Sequence, residues 1–533
     1  MKPQVSIGKM PQFSNLTNQQ GRAVISHSSS VMVNAFAGTG KTSGVMLPYA
    51  AARPRARGLY LVFGKENQIK ANAQLRRLQV NTEASTTHAL AFPTYGNAMQ
   101  KAGKLKSGLK PAITSELLGC NFAVAAAVNE AINNFTASKS VSIDESHLPS
   151  AEKRKIMETQ SDVVMDGARR LWSRMIDLTD GAPATHDTYL KQWALTKPVL
   201  EYHFILGDEW QDSNPLTIDL IGRQEHASRV YVGDRHQSIY GFRGAVNAMD
   251  EVKVEDMHFL TNSFRFTPSI GVLASTFLAH WKNEKNKIVG CAKPWDVNNA
   301  ADVAERRGAQ IAYLGRTVAG LIAKGFELHS KGAKISWVKG FDNYRSNSII
   351  EAHKLFSGKL SDITDPTLKM MPSWLALEEY VESSGDGEAG ALFKLVSKYK
   401  NEIPGMVNSL RESQVTSSDP AAARYVLTTA HQAKGLEWPM VRLCGDFFSF
   451  RDREGQWMNP KGMDSQEINL MYVCLTRAMK GISPNVEIDN WFRHQEATKH
   501  LMPPRDDQES NAQSRVVDNN SNTGPSSSAP RAA

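Results

Sequence analysis

The chain has 533 residues, of which 41% are hydrophobic and 22% are charged, as in an ordinary globular protein. This length exceeds what one hydrophobic core usually supports, so two to four compact units are expected. No apolar run approaches the about 18 residues of a membrane span, so neither a membrane-embedded protein nor a membrane partner is expected.

Charge, cysteine content and the N-terminus narrow the class further. The net charge of +8 favours a polyanionic partner, although solubility alone also accounts for it. The four cysteines lie far apart without a CxxC pair, so neither zinc nor disulfides are expected. Residues 1–14 lack a continuous apolar segment, which argues against a secretory signal. The protein is expected in the cytoplasm of a bacterial or phage-infected cell, or in a eukaryotic nucleus.

Short apolar runs in the first half of the chain indicate buried parallel strands. The first, within Val31–Thr42, is followed by a glycine loop and a stretch compatible with a helix. Leu59–Phe63, Phe204–Leu206 and Arg229–Val232 each end at polar or glycine residues. Reactive groups are therefore expected at the C-terminal ends of these strands.

Helical patterns interrupt the strand signals twice. The stretch between His88 and His203 is dominated by helical patterns, which predicts a helical insertion. A second α/β block begins near Leu260, and its own helical interruption extends from about residue 343 to 419. In the first insertion, four lysines form a basic run that suits either phosphate contacts or a solvated face: Lys101, Lys104, Lys106 and Lys110.

The strongest local signal is a phosphate-binding loop at Ala35–Thr42, AFAGTGKT. Gly38 and Gly40 allow backbone N–H groups to converge on phosphate oxygens at the start of a helix. Lys41 neutralises the β- and γ-phosphates, and the Thr42 hydroxyl suits a magnesium ligand. ATP and Mg²⁺ are therefore the expected ligands of this loop, with Ala35 and Thr39 as further contacts.

A pair of acids follows the predicted strand at residues 204–206. In a nucleotide hydrolase, Asp208 would hold the magnesium ion and Glu209 would polarise the attacking water. An acidic cap of a turn is the ordinary alternative. It is disfavoured because the phosphate-binding loop already requires a carboxylate at the end of a strand.

One longer segment makes the resemblance specific. Gly233–Ala245, GDRHQSIYGFRGA, resembles the third motif of superfamily 1 helicases of the UvrD/Rep/PcrA type. Thr185–Trp193, together with the EINLMYV run, is closer to the F-box DNA helicase branch, although no F-box is recognised ahead of the motor. The other motifs of the family occur in its order: Leu16–Gln20, Leu61–Glu66, Thr86–Ala91, Leu260–Phe266, Thr428–Trp438 and Glu467–Ala478.

The resemblance implies an α/β fold with two RecA-like P-loop motor domains. Each motor domain has a parallel sheet and carries a mainly helical insertion. The implied boundaries are 1–95 and 185–259 for the first motor domain, 96–184 for its insertion, 260–342 and 420–500 for the second, 343–419 for its insertion, and 501–533 for a disordered tail rich in Ser, Asn and Pro.

The resemblance also assigns roles in the ATP site. Gln20 would contact the edge of adenine and Phe264 its face, while Gln237 would sense the γ-phosphate. Arg265 and Arg477 would be arginine fingers, which couple hydrolysis to cleft closure. The remaining implied contacts with the nucleotide are Arg243, Gly435 and Glu437. For a lone arginine, an ordinary salt bridge is the alternative.

The expected DNA contacts are mostly aromatic, since aromatic faces stack on any base. The family places Phe63, His88, Tyr240, Phe242 and His431 along single-stranded DNA. Core packing is the alternative for each aromatic ring. For Phe242, stacking on a base is favoured over core packing, because the residue adjoins Arg243.

The resemblance therefore implies an ATP-dependent helicase that moves 3′ to 5′ on single-stranded DNA in repair, recombination or replication. Single strands and single-strand/duplex junctions are the expected partners, with recombinase or single-strand-binding proteins as further candidates, and the motor is expected to work as a monomer. The alternative within this class is a translocase that removes bound proteins with little unwinding. A non-hydrolysing ATP-binding scaffold is disfavoured because the catalytic residues are present.

Overall fold

A computed structural model of the chain describes residues 15–150, 156–241, 247–294, 308–384, 387–415, 423–452 and 454–498. The chain divides into a unit comprising Met1–Asn485 and a C-terminal unit comprising Val486–Ala533. The described part of the C-terminal unit is a helix, Val486–Thr498. The predicted tail at 501–533 lies outside the described residues.

The larger unit contains strands and helices, with runs of consecutive helices within the two insertions. The strands are β1 Ser30–Ala35, β2 Gly58–Leu61, β3 Thr82–Ser85, β4 Leu105–Lys106, β5 Ala184–Thr185, β6 Phe204–Gly207, β7 Ser228–Gly233, β8 Asp256–Leu260, β9 Asn262–Ser263, β10 Val289–Gly290, β11 Ile311–Gly315, β12 Ile335–Trp337, β13 Tyr425–Thr429, β14 Trp438–Leu443 and β15 Ala478–Ser483. The first twelve helices are α1 Asn18–Ile25, α2 Leu47–Ala51, α3 Lys65–Leu78, α4 Thr87–Ala91, α5 Asn97–Lys101, α6 Pro111–Leu118, α7 Phe122–Ala137, α8 Met157–Ile176, α9 His186–Leu195, α10 Pro215–Gly222, α11 Ala248–Glu251 and α12 Pro268–Trp281. The later helices are α13 Val318–Ser330, α14 Ser346–Phe356, α15 Pro366–Lys369, α16 Trp374–Ser384, α17 Gly387–Tyr399, α18 Ile403–Glu412, α19 Ser465–Leu475 and, in the C-terminal unit, α20 Val486–Thr498.

The first sheet is parallel and has the strand order β3-β2-β6-β7-β1-β8. Successive side chains of a strand point to opposite faces of a sheet, and the two cores follow this alternation. Val31 and Val33 belong to the core on one face. Met32 belongs to the core on the other face, which it shares with helices α7 and α8 of the first insertion. Burial on both faces explains why these strands are continuously apolar.

The second sheet is also parallel, with the order β12-β13-β11-β14-β15. Its strands share a hydrophobic core with helices of the second insertion, represented by Leu355, Leu395 and Leu410. Within the described residues, the main chain leaves the first sheet after β8 and enters the second motor domain through residues 261–267. This architecture confirms the predicted α/β fold with two parallel sheets.

Several local features differ from the expectations. The predicted strand at Leu59–Phe63 ends at Leu61, which leaves Phe63 beyond the sheet. The basic run of the first insertion is not a uniform surface, because Lys104 is buried and its ammonium donates to the carbonyls of Arg174 and Asp180 (3.1 and 2.6 Å). The two short strands β4 and β5 pair with each other at the two ends of that insertion.

None of the described helices has, by itself, the length and apolarity to cross a bilayer. Helices α6 and α7 meet the criterion only when taken together, and they are bent by 104°. Eleven of the sixteen residues of α7 are buried in the protein, so its apolar character has a structural explanation.

Candidate functional site

The phosphate-binding loop follows β1 and begins at Phe36. Gly38 and Gly40 have φ angles of +75° and +78°, a left-handed conformation that costs glycine no side-chain strain. A side chain at position 38 would also collide with Arg265, because an added Cβ would lie 2.5 Å from the Arg265 Cβ. The Thr39 hydroxyl donates to the Phe36 carbonyl (2.8 Å), which closes the loop.

Lys41 and Glu209 form an ion pair with 3.4 Å between Nζ and Oε2. Glu209 follows β6 with a φ of +47°, and its backbone N–H donates to Asp208 Oδ1 (2.9 Å). The structure therefore brings the predicted lysine and both predicted acids together. The left-handed conformation of a non-glycine residue here is a local strain of the kind that clusters at functional sites.

The two neighbouring acids differ in their electrostatics. Burial and the adjacent charge of Glu209 raise the pKa of Asp208 to about 6. Burial alone would raise the pKa of Glu209 too, but the cations Lys41 and Lys434 hold it below its usual range. Glu209 therefore remains ionised as the candidate base, whereas Asp208 requires a further positive charge to stay ionised in mildly acidic solution.

A tyrosine of β2 supports the candidate magnesium ligands. The Tyr60 hydroxyl donates to Asp208 Oδ2 (2.7 Å) and also hydrogen-bonds with the side chain of Thr42. Burial, with the neighbouring Asp208, raises the pKa of Tyr60 well above its usual value, so it stays a donor. A hydroxyl and a carboxylate held near one tyrosine match the oxygen donors that Mg²⁺ prefers.

Gln20 is buried against the phosphate-binding loop. Its side-chain amide donates to the Thr39 carbonyl (3.0 Å), and its side-chain oxygen accepts from the Thr17 N–H (2.9 Å). An added Cβ at Gly44 would lie 2.2 Å from the Gln20 amide nitrogen. Gln20 therefore positions the loop in this structure, and its contact with adenine, for which the amide keeps a second N–H and a second lone pair, remains a prediction.

The second motor domain faces the loop through residues that follow β9. The Phe264 N–H donates to the Gly38 carbonyl (2.9 Å), while the Phe264 ring is 53% exposed. Arg265 donates to Glu437 Oε2 (2.6 Å) and to the Thr476 carbonyl (3.2 Å). The structure therefore places an exposed ring and a guanidinium beside the loop, and the roles of Phe264 and Arg265 toward the nucleotide stay predictions.

Arg477 is a buried cation at the same cleft. Its guanidinium donates to the side-chain oxygen of Gln237 (3.4 Å) and to the carbonyls of Val473 and Leu436 (3.0 and 3.2 Å). Burial, together with the nearby Arg265, lowers the pKa of Arg477 to about 9. Among the described residues its acceptors are neutral oxygens, so an incoming phosphate would supply the missing negative charge.

Lys434, which the sequence patterns did not single out, reaches across the cleft from the second motor domain. Its ammonium pairs with the buried carboxylate of Asp212 and donates to the Gln237 carbonyl (2.7 Å). It also lies 5.0 Å from the centre of the Tyr240 ring. The available signal was its place in the TTAHQAKGLEW motif, between the predicted contacts His431 and Gly435.

The candidate DNA face lies along the carboxyl ends of the first sheet. Phe63, which is 50% exposed, stacks on Tyr240 with 6.0 Å between ring centres and 12° between ring planes. His88 follows β3, the strand that pairs with β2, and its ring hydrogen-bonds to Asp187 (2.9 Å). His431 lies half-buried in the turn after β13. Phe242 and Arg243 lie outside the described residues, so their predicted roles stay untested.

Trp210, an unusual residue within the acidic motif, is a core residue. It is buried with the insertion helices, and its ring lies 4.6 Å from that of Tyr231. An added Cβ at Gly207 would lie 2.5 Å from the indole, so the glycine makes room for it. The indole fills space beneath the acids rather than adding a polar group to the site.

Two protein-family models match parts of this chain. Residues 64–253 match the UvrD/REP helicase N-terminal domain, and residues 374–482 match the UvrD-like helicase C-terminal domain. Together the two matches cover more than half of the chain.

Three curated relatives illustrate the similarity. F-box DNA helicase 1 of Gallus gallus is 30% identical over 504 residues, which are 87% of this chain and 48% of that protein. F-box DNA helicase protein 1 of Schizosaccharomyces pombe is 29% identical over 530 residues, 90% of this chain and 58% of that protein. ATP-dependent DNA helicase UvrD2 of Mycobacterium tuberculosis is 23% identical over 325 residues, 52% of this chain and 46% of that protein.

The chain spans about half the length of the two F-box relatives that it matches. Both F-box relatives align with nearly all of it, as the THDTYLKQW and EINLMYV segments predicted. The two domain matches and the two parallel sheets agree with the motif order read from the sequence. The chain therefore belongs to the UvrD-like helicase family.

Proposed function

We propose that this protein is an ATP-dependent DNA helicase that translocates 3′ to 5′ along single-stranded DNA. The observation that carries the proposal is the composition of the cleft. Lys41, Asp208 and Glu209 of the first motor domain face three cations of the second, Arg265, Lys434 and Arg477. Because cations of one domain lie beside the phosphate site of the other, the bound phosphates would attract them and favour the closed cleft.

The residues of the phosphate-binding loop fit ATP and Mg²⁺. Gly38 and Gly40 leave room for phosphate oxygens, and Lys41, Thr42 and Asp208 would hold the nucleotide and its metal ion. The bound metal ion would supply charge neutralisation at the phosphates. Glu209, kept ionised by Lys41 and Lys434, would accept a proton from the attacking water.

The stacked pair Phe63 and Tyr240 supports single-stranded DNA as the track. The bases of a single strand offer flat faces that such rings contact without reading sequence. Tyr240 lies three residues from Gln237, and Lys434 touches both the Tyr240 ring and the Gln237 carbonyl. Movement at the phosphates is thereby connected to the strand. Strand–duplex junctions and single-strand-binding or recombinase proteins are the partners we propose.

ATPase rates with and without single-stranded DNA, RNA and duplex DNA test this function. Unwinding of substrates that carry a 3′ or a 5′ tail then tests the polarity. Stimulation by single-stranded DNA and unwinding from a 3′ tail are expected. Equal ATPase rates with and without DNA would contradict the proposal. Stimulation with displacement of bound protein but without unwinding would favour the alternative of a protein-removing translocase.

A further inference from the structure

A buried pair of side chains joins the motor domains away from the phosphate site. His236 Nε2 lies 2.9 Å from Glu284 Oε2, and their side chains are only 6% and 9% exposed. His236 follows β7 of the first motor domain, whereas Glu284 follows α12 of the second. Desolvating a carboxylate is costly unless its hydrogen bonds are satisfied, so the pair requires a tightly fitted interface.

Both side chains are held in place by further contacts. The second oxygen of Glu284 accepts from the backbone and side chain of Asn286 (2.9 and 2.8 Å). The His236 ring lies parallel to that of Phe36, with 6.0 Å between centres, and meets the Tyr472 ring edge-on at the same distance. We call Phe36, His236, Tyr472 and Glu284 the hinge cluster.

The hinge cluster adjoins the phosphate-binding machinery, because Phe36 is the first residue of the phosphate-binding loop and His236 precedes Gln237. The Tyr472 hydroxyl accepts from the backbone N–H of Ala37 (3.2 Å) and donates to Asp234 Oδ2 (3.0 Å). The same carboxylate oxygen accepts from the side-chain amide of Gln237 (2.7 Å). The second motor domain therefore holds both the start of the phosphate-binding loop and the carboxylate that orients Gln237.

The position of the hinge cluster in the fold is its most informative property. Glu284 and Phe36 line the same small cavity as Phe259 of β8, the last strand before the main chain crosses to the second motor domain. The Tyr240 and Phe63 pair lies beside β2, which β6, β7 and β1 separate from β8. His236 follows β7 and Phe36 follows β1, the two strands nearest β8, so the hinge cluster lies on the β8 side of β6, whereas Phe63 follows β2 on the other side.

Contacts near the covalent crossover move least when the cleft opens, and contacts far from it move most. We propose that His236 and Glu284 are positioning residues that keep the motor domains in contact beside the crossover throughout the ATPase cycle. The cleft then opens by rotation about the hinge cluster, while Arg477 and Lys434 approach and leave the phosphate site. This inference rests on the proposed function only in assuming that the cleft opens and closes.

The direct test measures the distance between the motor domains without ATP or DNA. Fluorophores on cysteines at the exposed positions Ile69 of α3 and Lys331 after α13 report the distance by single-molecule energy transfer, after the accessible Cys120 and Cys291 are replaced by serine. The labelled protein with His236 and Glu284 unchanged should give one narrow distribution of distances. Glu284→Leu should broaden it and shift its mean, because His236 loses its partner across the interface.

A matched control is Glu351→Leu. Glu351 is also a shielded carboxylate of the second half of the chain, but its hydrogen-bond partners are Lys354, Thr364 and Asp365 of the same insertion. It should lower the melting temperature without changing the distance distribution. Equal distributions for Glu284→Leu and Glu351→Leu would overturn the proposal. If Glu284→Leu does not fold, Glu284→Ala decides, because it also removes the acceptor of His236, and a wild-type distribution in that variant overturns the proposal.

Kinetics give a second readout that general destabilisation would not produce. Glu284→Gln should raise the KM for ATP by about fivefold, the lower end of typical coupling between sites, while kcat at saturating ATP and DNA changes less. The distance measurement needs no catalysis. A protein without DNA-stimulated ATPase activity would therefore contradict the proposed function, and the hinge cluster would still be judged by the distributions.

Discussion

The ATP side and the DNA side of the cleft are built in different ways. On the ATP side the charged groups are paired and shielded, as with Lys41 and Glu209 or Lys434 and Asp212. On the DNA side the Phe63 ring is half exposed and packs on Tyr240. Hydrolysis requires atoms at fixed positions, whereas a moving strand requires faces that accept any base.

One short segment belongs to both sides. Gln237 is buried beside Arg477, and Tyr240, three residues later, lies at the rim with Phe63. Lys434 contacts both ends of this segment. The comparison therefore predicts that substitutions on the ATP side abolish turnover, and that substitutions on the DNA side change mainly its stimulation by DNA.

The largest effect is expected for Lys41→Ala. This change removes the cation that faces the phosphates and partners Glu209, so ATP hydrolysis should fall by about two orders of magnitude or more. Binding of single-stranded DNA without nucleotide should persist, because the DNA face is not altered. A steady-state ATPase assay and a DNA-binding titration measure both, with Lys331→Ala as a surface control. Wild-type hydrolysis by Lys41→Ala would show that this loop is not the active site.

Glu209→Gln should slow turnover while preserving ATP binding. The amide cannot accept the proton of the attacking water, and general base catalysis contributes about 10²- to 10⁴-fold. A fluorescent ATP analogue measures binding, and a single-turnover experiment measures the chemical step. Turnover at the wild-type rate would assign the base to another residue.

The ATP side should also respond to pH. Asp208, with a pKa of about 6, must lose its proton to hold a metal ion, so kcat/KM for ATP should fall about tenfold per pH unit below pH 6. Buried Asp212, also near 6, titrates in the same range. A higher Mg²⁺ concentration should shift the fall of kcat/KM to lower pH, because the cation favours the ionised carboxylate of Asp208.

The stability of the ligand-free fold should fall with rising pH, whereas kcat/KM rises. A carboxyl whose pKa is higher in the folded than in the unfolded chain stabilises the fold below about pH 4, and that contribution is lost as pH rises through 6. The ligand-free protein should therefore lose part of its stability between pH 4 and 6, and Asp208→Asn should reduce that loss. An unchanged pH dependence of the melting temperature in Asp208→Asn would refute the shifted pKa.

These contrasts also show what the sequence predicts. The phosphate-binding loop and the two acids were predictable because their chemistry lies in contiguous residues. Strands β3 and β12 were not, because TEAS is too polar, and ISW too short, to read as a buried strand. The contacts between Lys434 and Asp212 and between His236 and Glu284 join residues 222 and 48 positions apart. Only the packing of the two domains brings such pairs together.

A smaller, more selective effect is expected on the DNA side. Phe63→Ala should reduce the stimulation of ATPase activity by single-stranded DNA and leave the DNA-free rate nearly unchanged. Stacking is worth about 1–3 kcal/mol per base, so the affinity for single-stranded DNA should fall by roughly five- to 150-fold. Ile69→Ala, a change at another exposed apolar residue, is the control. Equal losses in both ATPase rates would indicate that Phe63 serves packing.

The smallest effect on catalysis is expected for Trp210→Phe, although the residue lies within the acidic motif. Its indole packs on Tyr231 in the hydrophobic core, and the indole N–H has no hydrogen-bond partner among the described residues. The substitution removes no hydrogen bond and leaves a small cavity, so it should cost about 1–3 kcal/mol of unfolding free energy. Asp208 would keep its hydrogen bond with Tyr60, and Glu209 its ion pair with Lys41. ATPase activity per folded molecule should therefore stay within about twofold of the wild-type rate. Urea denaturation and ATPase kinetics on one preparation separate the two quantities. A sharp loss of activity with unchanged stability would mean that Trp210 acts on the neighbouring acids, and the division between core and catalytic site at this motif would be wrong.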